Sequence, residues 1–131
     1  MTAIVNEIKD LIDGKTWPDI APAFHANIAY CLKKHGFVVT FEYCVTLPNG
    51  RHGRIDLCVE KDGQRAALEL DNRMPRKGSI EKLRLFPGAK MVVLRDGRQM
   101  SIEGIDAIVP VKVRPVTAAE RADRRTVRRY A

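Results

Sequence analysis

Three carboxylates sit close together in the stretch GRIDLCVEKDGQRAALELDNR, residues 53–73: Asp56, Glu69 and Asp71. Asp62-Gly63 between them is a two-residue signal for a type I′ hairpin turn. That turn pairs Lys61 with Gln64, and the register then sets Asp56 opposite Glu69 and Arg54 opposite Asp71. The apolar residues run out of phase with the acids: Ile55, Leu57 and Val59 on one strand, Ala66, Leu68 and Leu70 on the other. A one-residue slip would bury the carboxylates, so the pattern supports the register. Like charges facing each other across a ladder destabilise it unless something compensates. A hard divalent cation is the natural compensator, because such ions take carboxylate oxygens. The competing reading is a surface ion network in which Arg54, Arg65 and Arg73 neutralise the acids.

The elements around this hairpin follow from periodicity. Residues 3–13 predict an amphipathic helix stopped by Gly14, with Trp17-Pro18-Asp19 as a connector. Residues 20–35 predict a second helix ending at Gly36. FVVTFEYCVT, 37–46, alternates, with Phe37, Val39, Phe41, Tyr43 and Val45 expected on one face. An odd-numbered loop in LPNGRHG would bring Glu42 to the face of Asp56. Strands at 53–60 and 64–72 complete a meander. Ser79 is the expected cap of a helix over 80–86. AKMVVLR, 89–95, reads as a buried strand reached by a right-handed crossover. IDAIVPVKV, 105–113, reads as an edge strand, because Pro110 lacks a ladder donor.

The chain has 131 residues, enough for one domain with a modest core. The domain is expected over 1–116, its core at about 21–95, with 117–131 a basic C-terminal helix or arm. The net charge of +7 favours a polyanionic partner. Arg124, Arg125, Arg128 and Arg129 in that arm are candidate phosphate contacts, beside Arg51, Arg54, Arg73, Arg76 and Lys82. No apolar run is long enough for a membrane span. The N-terminus lacks the basic region of a signal peptide. Cys31, Cys44 and Cys58 are too widely spaced for a zinc site and suit reduced thiols in a cytoplasmic protein.

Helix, three-strand meander, helix and buried strand, with these acids, resembles the core of the PD-(D/E)XK nuclease superfamily. The resemblance covers about residues 21–95. It implies an α/β fold of restriction-endonuclease type: a mixed sheet, antiparallel meander plus a parallel strand after a crossover helix, flanked by helices. Asp56 in GRIDL stands at the family's first acid and Glu69 in LELDN at its second. Twelve residues lie between them, similar to Holliday-junction resolvases. Glu42 resembles the extra acid that some members place on the first strand. The implied metal ligands are therefore Asp56, Glu69 and Glu42, holding Mg2+ or Mn2+. The family's lysine is replaced by Asp71, which is expected with Asp56, Glu69 and Lys77 among the catalytic residues, where it could add a metal ligand. Some members recruit a basic residue from the following helix, so Lys77, or secondarily Lys82, is the expected substitute. Arg73 can stabilise charge but cannot act as a base.

The implied activity is metal-dependent hydrolysis of phosphodiester bonds in DNA, leaving a 5′-phosphate and a 3′-hydroxyl. DNA is the expected partner, with RNA and a homodimer also compatible. The rival readings are a nuclease-fold module that binds nucleic acid without cutting it, and a small interaction subunit.

Overall fold

The computed structural model describes residues 2–122. Ten elements follow in order: α1 (Thr2–Ile12), β1 (Thr16–Pro18), α2 (Ala21–Lys34), β2 (Val38–Thr46), β3 (His52–Lys61), β4 (Gln64–Asn72), α3 (Lys77–Arg84), β5 (Ala89–Arg95), β6 (Ala107–Arg114) and α4 (Ala118–Ala122). The six strands form one mixed sheet in the order β1-β6-β5-β4-β3-β2. β2, β3 and β4 are antiparallel neighbours, while β5 runs parallel to β4, β6 to β5 and β1 to β6. The architecture is the mixed α/β sheet expected. Among the described residues no helix is long and apolar enough to cross a membrane.

Two apolar layers hold the sheet. Ile4, Ile8 and Ile12 of α1 and Phe24, Ile28 and Leu32 of α2 pack on one face, against Leu57, Val59, Leu68, Leu70, Met91 and Val93. Ile80 and Leu83 of α3 and the following Phe86 pack on the other, against Ile55, Ala67, Val92 and Leu94. Strands buried on both faces need apolar residues at successive positions. The unbroken run of β5 satisfies this, with both its neighbours parallel.

The Asp62-Gly63 turn forms as its sequence demands, both residues in the left-handed region, φ 52° and 77°. β3 and β4 pair in the expected register from Lys61↔Gln64 to Leu57↔Leu68. Five residues separate Thr46 from its partner His52, the odd-numbered loop that sets Glu42 across from Asp56.

Several expectations change. The connector at Trp17 is a short edge strand parallel to β6, its indole donating to the Ile12 carbonyl at 3.1 Å. β6 is therefore not an edge. Pro110 is tolerated because pairing with β1 begins only at Lys112. Phe41 and Tyr43 do not share a face: Phe41 joins the α1/α2 layer and Tyr43 the α3 layer. Ile55 likewise leaves Leu57 and Val59 for the α3 layer. The cause is one slot in the ladder, where Glu42 adopts φ 52° and bridges no partner, so β2 and β3 switch faces together. The helix expected over 80–86 begins at Lys77, with Arg76 rather than Ser79 at its N-cap.

Candidate active site

The same slot positions the acids. Past Leu57↔Leu68 the ladder between β3 and β4 gives way to side-chain bonds. The Asp56 amide donates to Glu69 Oε2 at 3.2 Å, and the Leu70 amide donates to Asp56 Oδ2 at 2.8 Å. Each carboxylate thus satisfies a backbone donor on the opposite strand, which brings the two carboxyl groups side by side. Two neighbouring carboxyl groups disfavour each other's ionisation. Glu69 is fully buried. Burial, and then the Asp56 carboxyl, push its pKa up to about 8 against the pull of Lys82.

Lys82 reaches this pair from α3. Its Nζ lies 2.5 Å from Glu69 Oε1 and donates to the Arg54 carbonyl at 2.7 Å. The side chain is only 20% exposed. Its stem crosses over Gly53, where a Cβ would stand 3.0 Å from Lys82 Cδ and 3.1 Å from Cγ. Gly53 therefore leaves the passage through which the ammonium arrives. Of the two lysines expected to replace the family's own, Lys82 makes the contact; Lys77 is exposed at the first turn of α3. Lys82 is accordingly a site residue rather than an exposed contact to the nucleic-acid backbone.

Asp71, at the family's lysine position, has a structural role. Its side chain is buried, accepting the Arg76 amide at 2.9 Å and Arg76 Nε at 3.2 Å. It supplies the cap that α3 lacks from its own N-cap residue. Arg54 does not face it. Arg54 pairs with Cys44 on β2, and its guanidinium lies 3.4 Å from Glu42 on the surface. Glu42 is thereby held outside the acidic pair, which corrects its expected place as a third ligand. Among the described residues no three His, Cys, Asp or Glu side chains gather as a metal cluster.

The remaining basic candidates scatter. Arg73 lies past the end of β4 with φ 59°, clamped on Asp19 at 3.2 Å. Arg95 joins that carboxylate at 3.5 Å, a cluster at the C-terminal ends of β1, β4 and β5 that no sequence pattern brought together. Hydrogen bonding from Arg73 holds the Asp19 carboxyl below its usual range. Arg51 is exposed in the β2–β3 loop, and Arg76 is exposed beside α3. Arg124, Arg125, Arg128 and Arg129 lie outside the described residues.

Asp56, half-buried, and Glu69, buried, present hard oxygen donors side by side, the donor type that a divalent cation takes. Arranged this way, they can hold such an ion beside an amino group. No family model and no curated protein matches the chain. A solved structure that it resembles is the crystal structure of a protein of unknown function, AF1548. The TM-score is 0.45 at 18% identity, over 67% of this chain and 55% of that one. This chain thus spans little more than half the length of that protein.

Proposed function

We propose that this protein is a Mg2+- or Mn2+-dependent deoxyribonuclease of the PD-(D/E)XK type. The observation that carries the reading is the meeting of Asp56 and Glu69 under the Lys82 ammonium, at the point where the hairpin ladder opens. The net charge of +7 supports a polyanionic substrate. Such a substrate also fits a cytoplasmic location.

Asp56 and Glu69 would hold the cation, which supplies Lewis acidity toward a phosphate oxygen and acidifies water. Lys82, beside Glu69, would stand next to the attacking water, where its amino group would stabilise charge developing on phosphorus. This is the work the family assigns to the lysine of its triplet, delivered from a helix. The backbone contacts of Arg51, Arg54 and Arg76 would position the strand without reading its sequence.

A second reading has one observation in its favour. Only two acids converge, and the Lys82 amino group already lies against Glu69 at 2.5 Å. A protein resting in that state would hold DNA without cutting it.

Incubation of plasmid, linear and single-stranded DNA with Mg2+ or Mn2+ separates the two. Cleavage by wild type and none by Asp56→Ala supports the nuclease. Salt-sensitive binding without cleavage by either supports the binding module.

A further inference from the structure

The nuclease reading leaves Met74 without a task. Its side chain is large, apolar and 63% exposed, in the loop that joins β4 to α3. Single apolar residues are common on protein surfaces. What sets this one apart is how the chain on either side of it is held.

Before Met74, the Arg73 amide donates to the Arg95 carbonyl at 3.0 Å. The Arg73 guanidinium donates to the same carbonyl and to both Asp19 carboxylate oxygens. Asp96, in the turn after β5, approaches it at 3.7 Å. That turn lies against the Arg73 backbone: a Cβ on Gly97 would stand 2.7 Å from the Arg73 carbonyl oxygen. After Met74, the ring of Pro75 fixes φ, and Asp71 accepts both the amide and Nε of Arg76.

The tip itself is strained. The Met74 amide donates to the Asn72 carbonyl, which closes a three-residue turn about Arg73 at φ 59°. A three-residue turn with positive φ at its centre is the rare, costly form, and arginine lacks the freedom of glycine to enter it. Such strain persists only where the surroundings over-determine it, and it gathers at ligand clamps and active sites. Here the anchors on both sides hold a large apolar side chain out in water.

The neighbours of this tip indicate its partner. The Arg76 side chain is 73% exposed, and Lys77 is exposed beside it. An apolar tip among cations suits a polymer with phosphates outside and stacked apolar faces within. Methionine and proline are among the residues that proteins drive between base steps to unstack them. Met74 lies five residues beyond Glu69, a span of at most about 18 Å. At 3.4 Å per step along a strand, that is within about five nucleotides of the phosphate held at the acids.

We propose that Met74 is a wedge that enters the base stack of bound DNA close to the cleaved phosphodiester. The clamps on Arg73 and Arg76 keep it extended, so the wedge is ready before DNA arrives. The proposal rests on the nuclease reading and adds a substrate preference to it: steps that open readily, such as mismatches and pyrimidine–purine steps.

The test uses the full chain without divalent metal and a set of duplexes that each carry one 2-aminopurine, a base whose fluorescence rises on unstacking. Wild type should raise the signal several-fold at one position, within about five nucleotides of the cut mapped with Mg2+ or Mn2+. Met74→Ala should abolish the rise and Met74→Leu should keep it. Both should melt where wild type does, because the side chain is exposed. A mismatch at that position should tighten wild-type binding about tenfold and leave Met74→Ala nearly unchanged. An equal rise for wild type and Met74→Ala, or no rise at any position while wild type binds and cleaves, overturns the wedge and leaves the nuclease reading standing. A Met74-dependent rise without cleavage in either metal supports the wedge and overturns the nuclease reading. If wild type does not bind DNA, both fall.

Discussion

Lys82 Nζ lies 2.5 Å from the buried Glu69 carboxyl group, although helix α3 contributes the one and strand β4 the other. The position two after Glu69 holds an aspartate, and the amino group that reaches the acids comes from α3 instead. Two ion pairs, Glu69–Lys82 and Asp71–Arg76, tie α3 along β4, and Asp71 gives the helix the start from which Lys82 reaches inward.

Lys82→Met is therefore expected to abolish most cleavage, by about 10²- to 10⁴-fold, the usual range for a proton-transfer group. Binding to DNA should change little. Lys77→Ala should cleave at a rate within a few-fold of wild type. Single-turnover assays on one linear duplex check both. Equal loss from the two variants would return the role to another group.

Restoring the family's lysine in sequence should not help. Asp71→Lys removes the carboxylate that caps α3 and buries an ammonium near Arg76. Loss of a cap costs about 0.5–2 kcal/mol, and the unpaired charge adds to that. The variant should melt earlier and cleave no faster than wild type, whereas Asp71→Asn should retain most stability. Thermal melts and the same cleavage assay decide this.

Gly53 offers a subtler test. A Cβ there crowds the Lys82 stem at 3.0–3.1 Å. Gly53→Ala should reduce cleavage modestly and Gly53→Val strongly, with the reduction in the catalytic rate rather than in DNA affinity. A Gly53→Val protein that folds and cleaves like wild type would show that the stem does not need this passage.

How much of this was legible in the chain depends on whether local rules governed it. The Asp62-Gly63 turn fixed its register through backbone conformation, so the meeting of Asp56 with Glu69 was readable from residue types alone. The left-handed backbone at Glu42 was not readable, since an alternating FVVTFEYCVT gives no sign that faces switch midway. That switch sends Tyr43 and Ile55 to the α3 layer and leaves Glu42 with Arg54. The choice of Lys82 over Lys77 depended on where α3 begins. The apparent cap Ser79 misplaced that start, because the true cap, Asp71, lies on a neighbouring strand. Tertiary capping leaves no local sequence signal. The edge assignment of β6 failed for a similar reason: three residues around Trp17, too short to show periodicity, supply its partner.

The raised Glu69 pKa gives a pH dependence of definite sign. Burial and the Asp56 carboxyl push the Glu69 pKa up to about 8 in the fold, against an ordinary 4.5 in the unfolded chain. Between these values the folded state binds more protons, so stability falls as pH rises from about 4.5 to 8 and levels off above. A cation on the pair replaces the proton, so Mg2+ should raise the melting midpoint at pH 8 and hardly at pH 5. Glu69→Gln should lose both effects. Melts across this range with and without Mg2+ measure them. A midpoint insensitive to Mg2+ at pH 8 would count against metal binding by this pair.

A clasp at the start of α4 sets where the chain can be cut without loss of a described contact. Glu120 and Thr117 form a reciprocal cap, the Glu120 amide on Thr117 Oγ1 at 3.1 Å and the Thr117 amide on Glu120 Oε1 at 2.9 Å. Arg114 clasps the same carboxylate at 2.7 and 2.8 Å and, with that cap, holds its pKa down at about 2. A cut before Glu120 would disturb this clasp, so truncation belongs after Ala122. It removes Arg124, Arg125, Arg128 and Arg129 together with one acid, Asp123. If these arginines neutralise phosphates, removing each one lowers the slope of log K against log salt by about 0.9. The truncated protein should then bind duplex more weakly, with a slope smaller by up to about four, and melt where the full chain does. Asp56→Ala should behave oppositely: it keeps the slope, binds as tightly or more tightly because a negative charge has left the site, and cuts nothing. Salt titrations of the three proteins on one duplex compare them directly. An unchanged slope on truncation would make the arm a solvated surface.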